Sequence, residues 1–290
     1  SDLSHALLRV GNFVHQFGLQ SSTSSSMKVT MEEPASNEAF FNSRLMGAMF
    51  VYDKDDFFGT ASVHVESEAL KKKSNELGKM GYGAMSRLVY RPLHDTGRLF
   101  QLGISGAYET PRYNSEPTLN HTSFDLGANF PTRIAKVRAV NALIPDAKNL
   151  IKFTPEMIAG YGPVALEAQY YYLQVNRKKD FKNYKASGMY GILRGLLIGG
   201  NYRYSHTDCG IATPDSGSLE CVFGYNYTDM SDTRSHIYGG RLNDVSFTVN
   251  YYINKYMIWR FRYSYTKITD RVGFENQSLS AFQTRFQVIF

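Results

Sequence analysis

The segment AFQTRFQVIF, Ala281–Phe290, decides how the rest of the chain is read. Phe282, Thr284, Phe286, Val288 and Phe290 fall on one parity, and Gln283, Arg285, Gln287 and Ile289 on the other. A period of two belongs to a β-strand, whose successive side chains point to opposite faces. Soluble domains tend to end in a polar, frayed tail. A chain that ends on an aromatic within a patterned strand calls for another environment.

The same alternation recurs upstream. Val245, Phe247, Val249 and Tyr251 alternate with Ser246, Thr248 and Asn250. After a short turn at Asn254 and Lys255, Met257, Trp259, Phe261, Tyr263 and Tyr265 alternate with Ile258, Arg260, Arg262, Ser264 and Thr266. This is a hairpin of two period-2 strands. About twelve such strands are legible, near 5–16, 44–52, 57–67, 79–92, 97–109, 150–160, 163–176, 185–205, 219–230, 243–252, 256–268 and 280–290. Their connections alternate in length. YDKDDF, RPLHDTG, GYGP and INKY are short, whereas 17–43, 68–78, 110–149, 177–184, 231–242 and 269–279 are long. The connection 206–218 is the exception, longer than its side of the alternation requires. Short turns at one end and long loops at the other describe an up-and-down barrel of the outer-membrane type.

Composition agrees. Among 290 residues, 14% are aromatic, with 21 Tyr and 24 Gly, a mix that leans to strands and turns. No run reaches the roughly 18–20 apolar residues of a transmembrane helix, so spanning by helices is excluded and spanning by strands is not. The net charge of +6 allows an anionic partner or a plain basic surface.

One face of most strands is aromatic or aliphatic, and the other carries Arg, Gln, Ser, Thr, Asn and Gly. A soluble sandwich turns the apolar face inward; a membrane barrel turns it outward. Periodicity does not separate these two. Tyr-rich strand ends in QYYYL, NYRYS and FGYNY favour the membrane, where aromatic girdles sit at both interfaces. The expected fold is therefore all-β: an antiparallel up-and-down transmembrane β-barrel.

Several stretches resemble the phosphate-selective porin O and P family of outer-membrane channels. They are LRVGNFVHQFG (Leu8–Gly18) followed by MEEP and NEAF, RLVYRPLHDTGRLFQLGISGAYETP (Arg87–Pro111), AGYGPVALEAQYYY (Ala159–Tyr172) and GGRLNDVSFTVNYYINKYMIWRFRYSYTKI (Gly239–Ile268). The terminal AFQTRFQVIF joins them. The matches span nearly the whole chain in order. The resemblance implies a sixteen-stranded barrel, a homotrimer passing small anions such as phosphate, in the outer membrane of a Gram-negative bacterium among lipid and lipopolysaccharide. It implies one barrel domain over 1–290 that lacks roughly four N-terminal strands and a signal peptide. The chain departs from the family where Val14, His15 and Gln16 follow LRVGNF, and at Gly224, where a basic residue is common.

On the polar parity lie Arg87, Arg91, Arg194, Arg260, Arg262 and Arg285. In a barrel these line the pore, where guanidinium forks suit phosphate or carboxylate and raise the local anion concentration. They would alternatively pair with Glu167, Glu66 or other luminal acids. The long segment 110–149 is the candidate constriction loop, carrying Arg133, Lys136 and Arg138; it either folds into the lumen or stays outside. Basic residues in NRKKDFKNYK and at Lys71–Lys73 make the external side basic and suit lipopolysaccharide phosphates.

Other functions find little support. The seven His lack ligand spacing, and no GxSxG, HExxH or P-loop occurs. A barrel hydrolase would need His64, Glu66 and a Ser to cooperate. The cations follow strands instead of gathering with a recognition helix, so nucleic acid is not an expected partner. No cofactor or metal is implied. Cys209 and Cys221 could bridge across a turn. The expected function is a passive, anion-preferring diffusion channel. The alternatives are a plugged or scaffolding barrel and, last, an outer-membrane hydrolase.

Overall fold

The computed structural model describes residues 5–21, 23, 27–41, 44–132 and 136–289, and every structural statement concerns these. In chain order the strands are β1 (Ala6–Phe13), β2 (Leu45–Lys54), β3 (Phe57–Val65), β4 (Tyr82–Asp95), β5 (Arg98–Glu109), β6 (Phe124–Asn129), β7 (Arg138–Ile144) and β8 (Ala147–Tyr161). They continue with β9 (Val164–Arg177), β10 (Tyr184–Ile198), β11 (Tyr204–Ser205), β12 (Gly210–Ile211), β13 (Leu219–Asp232), β14 (Ile237–Asn254), β15 (Met257–Arg271) and β16 (Gln277–Val288). A short helix, α1, covers Ala35–Phe40.

Twelve strands form one antiparallel sheet in the order β1-β2-β3-β4-β5-β8-β9-β10-β13-β14-β15-β16; β6 pairs only with β7, and β11 only with β12. The sheet is not closed. β1 and β16 are its two edges, which corrects the expectation of a closed barrel. Alternation fixes which face each side chain takes, but it carries no information on whether the first and last strands meet.

Four neighbouring pairs at one end are joined by the two-residue links Asp55–Asp56, Thr96–Gly97, Gly162–Pro163 and Lys255–Tyr256. The last is held by an Asx turn, with the Tyr256 amide donating to Asn254 Oδ1 at 2.8 Å. At the opposite end the links are longer: 14–44, 66–81, 110–146 and 178–183. Two strands run further than their hydrophobic pattern reaches. β13 continues to Asp232 and β15 to Arg271, because the ladder proceeds through polar pairs such as Asp229 with Arg241. Conversely β10 stops at Ile198, and Tyr202 and Tyr204 belong to the connection that follows.

The two faces are inverted relative to a soluble sheet. Leu88 is 61% exposed, Phe223 57% and Phe282 71%, while the largest fully enclosed side chains begin with Arg87, Arg91 and Arg260. Outward aromatics pair across strands, as Tyr251 does with Trp259 and Phe57 with Tyr90. An exposed apolar wall around an enclosed polar interior is the arrangement of a strand-spanning membrane protein. Among the described residues no helix is long and apolar enough to cross a membrane.

Candidate functional site

The enclosed face is filled first by the connection from β1 to β2. From His15 to Asn37 the described residues touch one strand after another. His15 Nε2 lies 3.3 Å from the Leu45 carbonyl on β2, and the Gly18 amide donates to Ser105 Oγ on β5 at 3.0 Å. Gln20 Nε2 donates to Glu167 Oε1 on β9 at 2.9 Å. Ser36 Oγ donates to Asn226 Oδ1 on β13 at 2.6 Å, and Asn250 Nδ2 on β14 donates to the Val29 carbonyl at 2.9 Å. One segment meets this many strands only because the sheet curls around it.

Its apolar residues supply the grip. Phe17 and Phe40 are enclosed, and Phe40 stacks on Tyr171 of β9 with ring centroids 5.5 Å apart. Lys152 Nζ of β8 caps the helix end by donating to the Phe40 carbonyl at 2.7 Å. Gly18, at φ +79°, lies so close to β9 that a Cβ there would sit 1.8 Å from Gln169 Nε2. Gly224 is similarly confined: a Cβ would lie 2.7 Å from Ser246 Oγ and 3.3 Å from Thr30 Cγ2. A basic side chain at that position has no room while the segment is seated.

The β6–β7 hairpin lies over the long-link end of the same face. The Asn129 amide and Nδ2 donate to Glu38 at 3.1 and 2.7 Å, and Arg262 Nη1 donates to the Pro131 carbonyl at 2.9 Å. Val140, Ala142 and Ile144 share one apolar cluster with Met230, Leu242 and Ile268. Lys136 lines a cavity of about 400 Å³ with Glu32, Glu33 and Glu38. Arg138 is exposed and donates to Asn141 Oδ1 at 3.2 Å. Arg133 and Phe290 lie outside the described residues.

The arginines of the polar parity all face inward, most of them held by acids. Arg87 is joined to Glu156 at 2.6 Å, Arg194 to Glu220 at 2.8 Å, Arg262 to Asp244 at 3.1 Å and Arg285 to Glu32 at 2.8 Å; Arg91 meets Asp53. Glu66 is engaged elsewhere, with His121 Nε2 at 2.7 Å and the amides of Gly81 and Tyr113 at 2.6 Å each. His64 lies against His15, ring centroids 5.2 Å apart.

Arg260 differs. Its Nη1 donates to the Lys28 carbonyl, while Nε and Nη2, both enclosed, have no hydrogen-bond partner among the described residues. It lines a cavity of about 160 Å³ with Lys28, Arg194, Glu167, Asp208 and Tyr252. Unpaired donors of a buried guanidinium are costly unless water or an anion meets them. Lys28, Glu32, Glu33 and Glu38 carry no mark in the sequence that would place them here. Glu38 and Glu32 act through contacts 91 and 253 residues apart in the chain, with Asn129 and Arg285.

The short-link end is covered by the connection 199–218, which folds beneath the sheet. The Tyr202 hydroxyl donates to Glu220 Oε1 at 2.7 Å, and the Tyr204 hydroxyl to Gln101 Oε1 at 2.5 Å. Arg87 Nη2 and Gln101 Nε2 donate to the Cys209 carbonyl at 3.5 and 3.3 Å. Burial pushes the Tyr204 hydroxyl and the Cys209 thiol above their usual ranges. Cys209 and Cys221 are both free, so the bridge that their spacing allowed is not formed. Cys209 is enclosed on the inner side beside Tyr204, whereas Cys221 shares the outward parity of Phe223, so the sheet stands between them. Among the described residues no group of three His, Cys, Asp or Glu is placed to hold a metal.

The fold resembles solved outer-membrane proteins. One is the outer-membrane expressed OmpT of Vibrio cholerae, with TM-score 0.55 and 10% identity, covering 97% of this chain and 75% of that one. Another is the in-vitro folded OmpT of the same organism, with TM-score 0.52 and 11% identity, covering 96% and 73%. No curated protein sequence matches. The phosphate-selective porin O and P family matches residues 3–290, and the chain belongs to that family.

Proposed function

We propose that the chain is an outer-membrane channel for passive diffusion of small hydrophilic solutes, with a preference for anions. It resides in the outer membrane of a Gram-negative bacterium as a homotrimer, amid lipid and lipopolysaccharide, and works without catalysis or a cofactor. The observation that carries this reading is Arg260: an enclosed guanidinium with two unpaired N–H groups facing a polar cavity that also presents Lys28 and Arg194. Such a group stabilises an anion more than a cation and replaces part of its hydration shell. On the same wall Arg194 and Arg262 are held by Glu220 and Asp244, and Glu167 is met by Gln20, so Arg260 is the guanidinium of this cavity without an acid partner among the described residues. Selection by size would come from the described residues of the β1–β2 link on the inner face, such as His15 and Val29.

The test is single-channel recording across an asymmetric salt gradient. An anion-preferring reversal potential is expected, and a cation-preferring one overturns the reading. A second reading, a plugged or scaffolding barrel, is favoured by the covering of both ends, by β6–β7 and by 199–218. Absence of any conductance supports it.

A further inference from the structure

The outward surface of β8, β9 and β10 is layered in a way the other sectors are not. Nearest the sheet centre it is apolar: Phe153, Tyr170 and Met189 are each more than two-fifths exposed. One step toward the long-link end an amide ladder begins. Gln174 Nε2 donates to Asn176 Oδ1 at 2.7 Å, Asn176 Nδ2 to Asn149 Oδ1 at 2.7 Å, and Asn183 Nδ2 to Asn176 Oδ1 at 3.0 Å. Ile151, Gln174 and Lys185 stand side by side in register across the three strands. Beside the ladder, at Lys185, and beyond it, at Lys148, Lys178, Lys179 and Lys182, exposed lysines make the surface cationic.

Only Lys178 of these five has an acidic partner among the described residues, Asp146 at 3.4 Å. The corresponding rim of β13–β15 is different, because Arg241 there is shared between Asp229 at 3.0 Å and Asp270 at 2.9 Å. The positive excess thus distinguishes this sector from the β13–β15 rim.

We propose that this sector is a docking surface for a phosphorylated glycolipid of the outer leaflet, of the lipid A type. The inference rests on the outer-membrane reading, with the long links facing outward. Each layer matches one part of that ligand at its depth. Acyl chains lie on Phe153, Tyr170 and Met189. Sugar hydroxyls meet Gln174, Asn176 and Asn149, whose carboxamides offer more donors and acceptors than the ladder consumes. Phosphates meet the lysines, which gain from anionic headgroups near the surface. A plain anionic phospholipid would use the lysines but leave the amide ladder facing hydrocarbon.

The test measures lipid retained by the detergent-folded protein, by mass spectrometry. The probes are lipid A, its dephosphorylated form, phosphatidylglycerol and phosphatidylcholine. Lysine reversal, Lys179→Glu with Lys182→Glu, should lower lipid A retention about tenfold and leave phosphatidylcholine unchanged. Gln174→Leu with Asn176→Leu should lower lipid A retention and not that of phosphatidylglycerol. Lys179 and Lys182 are exposed, Gln174 and Asn176 are half-buried on the outward face, and an unchanged heat-dependent gel shift verifies folding. Undiminished lipid A retention in either variant overturns the proposal, as does wild-type protein that holds phosphatidylglycerol as well as lipid A. A folded protein that takes up no lipid, phosphatidylcholine included, overturns the membrane reading as well.

Discussion

Arg87 and Glu156 face each other across β5, joined by Nε to Oε2 at 3.0 Å and Nη2 to Oε1 at 2.6 Å, with neither side chain open to solvent. The pair is tied into the interior on both sides, since Arg87 Nη1 donates to Gln16 Oε1 at 2.8 Å and Gln101 Nε2 donates to Glu156 Oε1 at 3.0 Å. It therefore couples the wall to the inserted segment. Two opposite charges this enclosed are held by each other more than by water.

Removing one member should be worse than removing both. Glu156→Leu leaves the Arg87 charge buried without its acid, at a cost of about 3–5 kcal/mol. The double variant Arg87→Met with Glu156→Leu should recover most of that loss. Urea unfolding in lipid vesicles measures the difference; a single variant as stable as the double would show that the pair is solvated.

Arg260 should matter more to selectivity than the arginines that sit in ion pairs. Arg260→Ala removes a cation without exposing an acid, so the reversal potential should move toward cation preference. Arg262→Ala removes one as well, but it also strands Asp244, which Arg262 approaches at 3.1 Å, and the shift should come with a loss of stability. An unchanged reversal potential in Arg260→Ala would assign that residue to packing alone.

The strands and their two faces were legible because period-2 alternation is local. A reader needs only neighbouring residues to see that Trp259 and Arg260 point apart. Which face meets lipid was suggested by the Tyr-rich ends and became definite only with the exposed Leu88 beside the enclosed Arg87. What could not be read were contacts set by the fold. The sequence reading made 110–149 the candidate constriction loop without placing it inside or outside; its Pro131 carbonyl meets Arg262, and Gln20 and Ser36 of the β1–β2 link reach β9 and β13. Likewise Cys209 and Cys221 are near in sequence, and the wall that separates them is invisible there.

Gly18 tests the inserted segment directly. Its φ of +79° and the proximity of Gln169 leave no place for a side chain. Gly18→Val should loosen residues 14–21 from the wall and raise single-channel conductance, with a stability cost of roughly 1–3 kcal/mol from strain and overpacking. Conductance that does not change would mean that this segment does not limit the passage.

Cys209 reports on the covering of the short-link end. The thiolate is the reactive form, and burial raises this thiol above its reference value of 9.0. At pH 8 less thiolate is present than on a free cysteine, so maleimide labelling should be slow, and its rate should climb as the pH rises through 9 and beyond. Tyr204 closes over the thiol, its hydroxyl 3.3 Å from Sγ and 2.5 Å from Gln101 Oε1. Tyr204→Ala should therefore speed labelling several-fold at fixed pH by opening access, which outweighs the loss of a hydrogen bond that favours the thiolate, and raise conductance if 199–218 narrows the path. Because Cys221 faces the other side of the sheet, mild oxidation should leave both thiols free. An intramolecular disulfide in the folded wild type, or labelling of Cys209 as fast as that of a free thiol, would show that the connection does not sit beneath the sheet.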